Sequence, residues 1–293
     1  MNRTVLACLL AAAAPAALAA PCAPPSTYGQ TLLERLVAAN PALLAASMDV
    51  KPPKGHDYVV AAATDRAAIG TKSSAAEVAV AATGKPAVVA DPARARIEVR
   101  VPLYDVSADT IGVLDLVFHA ARGAAQAGFV REALHLRDRL RRRITLPSNV
   151  FDPVPYDPTE VLPTDTYAQR LVDEVLAQHP QVEIFAIHAT PPGGDYNVIA
   201  ASNIGRIGKK ADNDDMRAVY TGKTNLEVNE TGTRFEVEMQ LRDRTHRVIG
   251  AVSVVYAYHK GEDQRRLEAR AKKIRAALER RIADSASLFA LAH

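Results

Sequence analysis

One stretch of the chain occurs twice, and that duplication constrains the fold more than any other feature. Residues 96–118 read RIEVRVPLYDVSADTIGVLDLVF and residues 234–256 read RFEVEMQLRDRTHRVIGAVSVVY. Arg96 matches Arg234, Glu98 matches Glu236, Asp105 matches Asp243, and Ile111-Gly112 matches Ile249-Gly250, every pair 138 positions apart. Each copy has the pattern of two β-strands joined by a polar turn. Solenoid units recur every 20–50 residues or so, so a period this long predicts a duplicated domain.

The flanks carry the repeat further. Tyr28, Gln30, Leu32, Leu33, Leu36 and Val37 match Tyr167, Gln169, Leu171, Val172, Val175 and Leu176 at an offset of 139. Their apolar members recur at helical spacing, and Pro41 and Pro180 end the two helices because the residue before a proline is pushed out of helical geometry. A hairpin follows in each copy, with its second strand at 58–63 or 197–202 and a Pro/Gly-rich turn before it. A short helix is expected near 75–82 and 214–220, then the turns Thr83-Gly84-Lys85 and Thr221-Gly222-Lys223. Each unit closes on a helix whose apolar stripe is Phe129, Ala133, Leu136, Leu140 and Ile144, or Leu267, Ala271, Ile274, Leu278 and Ile282. The expected class is α+β: two tandem domains, each an antiparallel sheet flanked by N- and C-terminal helices on one side. The boundaries predicted are 26–146 and 164–287, separated at 147–163 by a proline-rich, extended and fairly stiff linker.

The first 19 residues read as a secretory signal. Arg3 is followed by an apolar run too short to span a bilayer, and Ala17-Leu18-Ala19 is a small-residue cleavage site. No later stretch approaches the roughly 20 apolar residues of a spanning helix, so a periplasmic or secreted chain that does not cross the membrane is expected. Loss of Cys8 with the signal leaves Cys22 without an internal partner; it stays a free thiol or pairs between chains. A balance of 36 basic and 33 acidic side chains is too even for a nucleic-acid protein.

Two runs resemble the Cache family of extracytoplasmic sensor domains. The first is Gly84-Lys85-Pro86, then Val99-Arg100-Val101-Pro102-Leu103-Tyr104-Asp105 and Ile111-Gly112-Val113-Leu114. The second is Val198-Ile199-Ala200-Ala201-Ser202-Asn203 with Ile207-Gly208-Lys209-Lys210. The resemblance covers most of both repeats, and the second copy departs from it at Gln240 and Arg242, where the first has Pro102 and Tyr104. It implies a PAS-like antiparallel sheet with a long N-terminal helix and a pocket for a small metabolite on the sheet. Because members are usually the outer parts of receptors, it also implies a membrane receptor as a partner.

Chemistry-bearing motifs are sparse. Gly222-Lys223-Thr224 lacks the earlier glycine of a phosphate loop, since Arg217 holds that position. No catalytic or zinc motif occurs, and the scattered histidines show no metal spacing, so neither an enzyme, a metal nor a cofactor is expected. Asp115 interrupts an apolar strand and needs a partner such as Arg100 or a ligand amine, or else faces solvent. A pocket is expected under the segment from Asn203 to Thr221. Arg217 and Tyr220, three apart on a helix, share a face there, suited to a small anionic metabolite. Ser253 or Tyr256 would complete its floor, but only one of the two, because they point to opposite faces of their strand. The ligand candidates are thus Arg217, Tyr220, Asn203, Ser253 and Asp115. The leading reading is an exported small-molecule-binding or sensory protein. An interaction protein with filled pockets is the alternative, and an exported enzyme has the least support.

Overall fold

The computed structural model describes residues 26–157, 159 and 161–292. The expected signal and Cys22 lie outside the described residues. The first unit comprises β1 (Ser26–Thr27), α1 (Tyr28–Ala38), β2 (Leu43–Val50), β3 (Val59–Ala63), α2 (Ala75–Thr83), β4 (Ala87–Asp91), β5 (Arg96–Tyr104), β6 (Thr110–His119), α3 (Gln126–Arg141) and β7 (Pro153–Val154). The second comprises α4 (Tyr167–Gln178), β8 (Val182–Ala189), β9 (Val198–Ser202), α5 (Asn213–Thr221), β10 (Asn225–Val228), β11 (Arg234–Arg242), β12 (Val248–Ala257), α6 (Gln264–Glu279) and α7 (Ser285–Leu288). Each unit has a five-stranded antiparallel sheet, ordered β3-β2-β6-β5-β4 in one and β9-β8-β12-β11-β10 in the other. Matched through the sequence repeat, the two orders are the same. Among the described residues no helix is long and apolar enough to cross a membrane.

The repeated residues prove to be those on which the backbone depends. Thr27 and Thr166 cap α1 and α4, their hydroxyls accepting from the amides of Gln30 and Gln169 at 3.2 Å in both. Gln30 then clamps the helix to the sheet, accepting from Ala63 N at 3.0 Å and donating to Ala63 O at 3.1 Å, while Gln169 accepts from Ser202 N at 3.3 Å. The β5–β6 turn hangs on Asp105, whose carboxylate accepts from the amides of Ser107 and Asp109; Asp243 does the same for Thr245 and Arg247. Gly112 and Gly250 lie where β6 and β12 pass so close to β2 and β8 that a Cβ would overlap the carbonyl oxygens of Asp49 and His188. The Thr-Gly-Lys turns end α2 and α5, with Gly84 and Gly222 in the left-handed conformation that glycine adopts without strain.

Two expectations change. Helices cover both sheet faces, not one. The long helices α1 and α3 bury Leu33, Leu36, Leu136 and Leu140 against Leu114 and Leu116 of β6. The short helix α2 packs Val80 and Ala81 on Val113, which points the other way because side chains alternate along a strand. The expected extended linker folds back as well: β7 pairs with β1, and Asn149 and Val150 are fully buried, Val150 within the first core beside Gly29. An apolar residue in a proline-rich stretch gains more by burial than by remaining extended.

The units meet through Val106, Ile184, Val255 and Ile204. Around that contact Arg206 pairs with Asp152 at 2.6 Å, and the Tyr28 ring lies against Gly205, whose φ is +76°.

Candidate functional site

Between each sheet and its short helix lies a polar layer built from matched positions, half-buried in the first unit and more deeply buried in the second. In the first unit Arg100 from β5 is its centre. The guanidinium reaches Asp115 on β6 at 3.2 Å, Glu77 on α2 at 3.6 Å, and its strand neighbour Glu98. Asp49, 2% exposed, accepts from Ser73 Oγ at 2.5 Å. Burial and the adjacent Glu98 push Asp115 up to about 8, and burial likewise raises Asp49. Of the alternatives for Asp115, a cationic neighbour, a ligand amine or solvent, the pairing with Arg100 is the one present.

In the second unit the same positions hold different chemistry. Glu238 replaces Arg100, Asp215 replaces Glu77, His188 replaces Asp49 and Ser253 replaces Asp115, while Glu236 matches Glu98. Asp212 and Asp215 form the capping box that starts α5, each accepting from the other's backbone amide at 3.2 and 3.0 Å. One oxygen from each of Asp212, Asp215 and Glu238 lies within 4.8 Å of the others. Glu238 accepts from Ser253 Oγ and Asn225 Nδ2, both at 3.4 Å. Burial, with Asp215 beside it, pushes Glu238 up to about 9, and burial pushes Glu236 up to about 7. His188 Nδ1 lies 3.1 Å from Asp215 Oδ1 but is not aligned to hydrogen-bond it. Burial outweighs the Asp215 charge and lowers the imidazole, favouring its neutral form.

A second feature is a cleft of about 830 Å³ between the units. Leu32, Leu36, Leu140, Val154, Leu162 and Leu176 supply apolar wall, and Arg35, Arg139, Arg142, Arg143 and Arg206 bring positive charge. Arg206 is paired with Asp152, and Arg143 approaches Asp173 at 3.9 Å. Arg35, Arg139 and Arg142 contact no carboxylate among the described residues.

The structure scatters the candidates from the sequence. Ser253 lies in the second unit's polar layer, whereas Tyr256, one face away, is in the core. Arg217 is half exposed, pairs with Asp214 at 3.2 Å, and reaches the layer only through Asn225, to which it donates at 2.9 Å. Tyr220, 76% exposed, stands at the end of α5. Asn203 borders the cleft, but its amide is taken by backbone: it donates to Arg142 O and Glu183 O and accepts from Phe185 N, each at 2.9 Å. Asp115 belongs to the other unit. Glu238, Asp215 and His188 were missed, because they come from three separate segments and no spacing joins them. The signal that could have found them is the Arg100-to-Glu238 exchange at matched positions.

No protein-family model matches the chain, and no curated protein does. Among solved structures, the GAF domain of A. Aeolicus nlh2 in an inactive state aligns at 15% identity over 39% of this chain and 83% of its own, with a TM-score of 0.33. The inducer-binding domain of the PobR transcription factor from Acinetobacter, a double mutant in complex with 3-hydroxybenzoic acid, aligns at 14% over 39% and 95%, TM-score 0.25. PelD from Pseudomonas aeruginosa PAO1, from residue 158 onward, aligns at 16% over 85% and 75%, TM-score 0.29. Membership of the Cache family is not shown by any of these.

Proposed function

We propose that the chain is an exported, sensory binding protein rather than an enzyme, built of two PAS-like units of the Cache type. Its ligand on this reading is a small organic anion with an apolar body, held in the cleft between the units. The observation that carries this is the cleft: about 830 Å³, apolar-walled, with Arg35, Arg139 and Arg142 lacking carboxylate partners among the described residues. Cavities of roughly 300–1,000 Å³ with few polar groups suit small ligands, and a guanidinium fork suits a carboxylate. Export after loss of residues 1–19 would place the chain where a membrane receptor could read its loaded state.

The test is a thermal-shift panel of aromatic and aliphatic carboxylates on the purified chain, with native mass spectrometry of protein taken from its host. A stabilising acid should lose at least tenfold in affinity in Arg35→Ala and Arg142→Ala, a cost of about 1.4 kcal/mol, and keep its affinity in Arg217→Ala. Loss confined to Arg217→Ala would move the site to α5. Absence of any stabilising or co-purifying acid would refute the reading.

A further inference from the structure

We propose that the acidic head of the cleft's ligand is a phosphate monoester, seated between Arg35 and Arg143. This rests on the reading of the cleft as a ligand site and adds the seat and the chemical class of the head.

The sequence repeat carries it. In the second unit Arg281, just past the end of α6, reaches Glu174 on α4 at 2.7 Å, and the Tyr167 hydroxyl donates to Arg281 O at 3.2 Å. That ion pair ties the opening helix of the unit to its closing one. The matched residues of the first unit are Arg143 for Arg281, Arg35 for Glu174 and Tyr28 for Tyr167. Arginine therefore stands at both positions where the second unit sets a cation against a carboxylate. Two guanidiniums carry donors only and like charge, so neither can satisfy the other. The group missing between them is an anion.

The surroundings do not supply one. Arg35 and Arg143 both line the cleft, and Arg206 of the second unit joins them. Burial raises the hydroxyl of Tyr28, which is 6% exposed, and the charges of Arg143, Arg35 and Arg206 all act against that rise, so the three converge on one point of the cleft wall. Arg35 contacts no carboxylate among the described residues. Arg143 approaches Asp173 only to 3.9 Å, beyond hydrogen-bond distance. Arg206 is already paired with Asp152.

Charge decides the class of head. The arginines lining the cleft are Arg35, Arg139, Arg142, Arg143 and Arg206, against Asp173 and the Asp152 behind Arg206. A carboxylate brings a single charge. A phosphate monoester brings about −1.5 to −2 at neutral pH and three acceptor oxygens, enough to engage two guanidinium forks at once. Leu32 and Leu36 on α1, and Leu140 on α3, line the cleft beside the two arginines and give the ester's apolar body a wall. Arg35 is exposed, so the head can enter from solvent.

The experiment is calorimetry on the full purified chain with two matched pairs, phenyl phosphate with benzoate and hexyl phosphate with hexanoate, and with inorganic phosphate. In at least one pair the ester should bind about tenfold more tightly than the carboxylate and than inorganic phosphate. Arg143→Ala should weaken the ester about tenfold. Arg35→Glu, which restores the second unit's ion pair, should weaken it about a hundredfold or more, because it sets a like charge against the head. The same variant should hold or raise the melting temperature of the ligand-free chain. Circular dichroism checks that each variant is folded, and the wild-type comparison stands without them. A carboxylate that binds as tightly as its ester, and is weakened by Arg35→Glu, would overturn the phosphate head and leave the cleft reading in place. Ester affinity undiminished in both variants would overturn the seat. Inorganic phosphate binding as tightly as the esters would mark an adventitious ion only. Failure of every compound to bind at about 1 mM would overturn the cleft reading and this inference with it.

Discussion

Arg100 and Glu238 occupy the same place in two sheets of the same strand order, and they carry opposite charges. Around them the scaffold barely differs. Capping boxes start α2 and α5 at Ser74/Glu77 and at Asp212/Asp215, and left-handed glycines end both helices. Gly112 and Gly250 permit the same close strand approach. The comparison teaches that duplication preserved what the backbone needs and released the polar layer. In one unit that layer gathers carboxylates about an internal cation; in the other, two of those carboxylates remain as Asp215 and Glu236, two become His188 and Ser253, and Glu238 stands where the cation was.

The largest effect is expected at Arg100. Replacing it with Leu leaves the half-buried Asp115, Glu98 and Glu77 without their shared cation, and losing charged hydrogen bonds of this kind costs about 1.5–3 kcal/mol. Chemical denaturation should show that loss, whereas Glu238→Leu should cost far less or stabilise the chain. Equal losses at the two positions would erase the distinction between the layers.

A pH dependence sharpens the same contrast. Asp115 and Glu238 are both raised in the folded chain, to about 8 and about 9. Their protons are therefore held more tightly folded than unfolded. That stability is fully present below the ordinary carboxylate range and is lost as pH rises toward the folded values, by at most about 1.4 kcal/mol per pH unit for each proton. Melting followed from about pH 5 to about pH 8 should show the decline. Asp115→Asn and Glu238→Gln should each flatten it in part. A profile that rises over this range would contradict the assignment.

The glycines should behave alike, which makes them a control on the comparison. Gly112→Ala and Gly250→Ala each force a methyl onto a carbonyl oxygen, and overpacking of this kind costs about 1–3 kcal/mol. Similar losses in both are expected by denaturation, and a neutral result in either would mean that its strand can shift. Smallest of all is Arg217→Ala. The Arg217–Asp214 pair is solvent-exposed, and such pairs contribute about 0–1 kcal/mol, so its melting temperature should scarcely move.

Much of this architecture is written in neighbouring residues. The apolar stripes that became α1, α3, α4 and α6, the alternation of β5, β6, β11 and β12, and the Ile-Gly and Thr-Gly-Lys repeats are all local patterns, and local geometry enforces them: helices and strands repeat every few residues, and a glycine marks where no side chain fits. The pairing of Asp115 with Arg100 was legible only as one alternative beside a ligand amine or exposure to solvent, because the sequence does not say which strand lies alongside. What the tertiary structure alone decided is convergence. Asp215 on α5 meets His188 on β8 and Glu238 on β11 because α5 closes over the face that β8, β12 and β11 share. The cleft likewise draws α1, α3, α4 and the proline-rich segment together. Sheet order and strand register set those meetings, and neither is recorded in the spacing of the residues that meet.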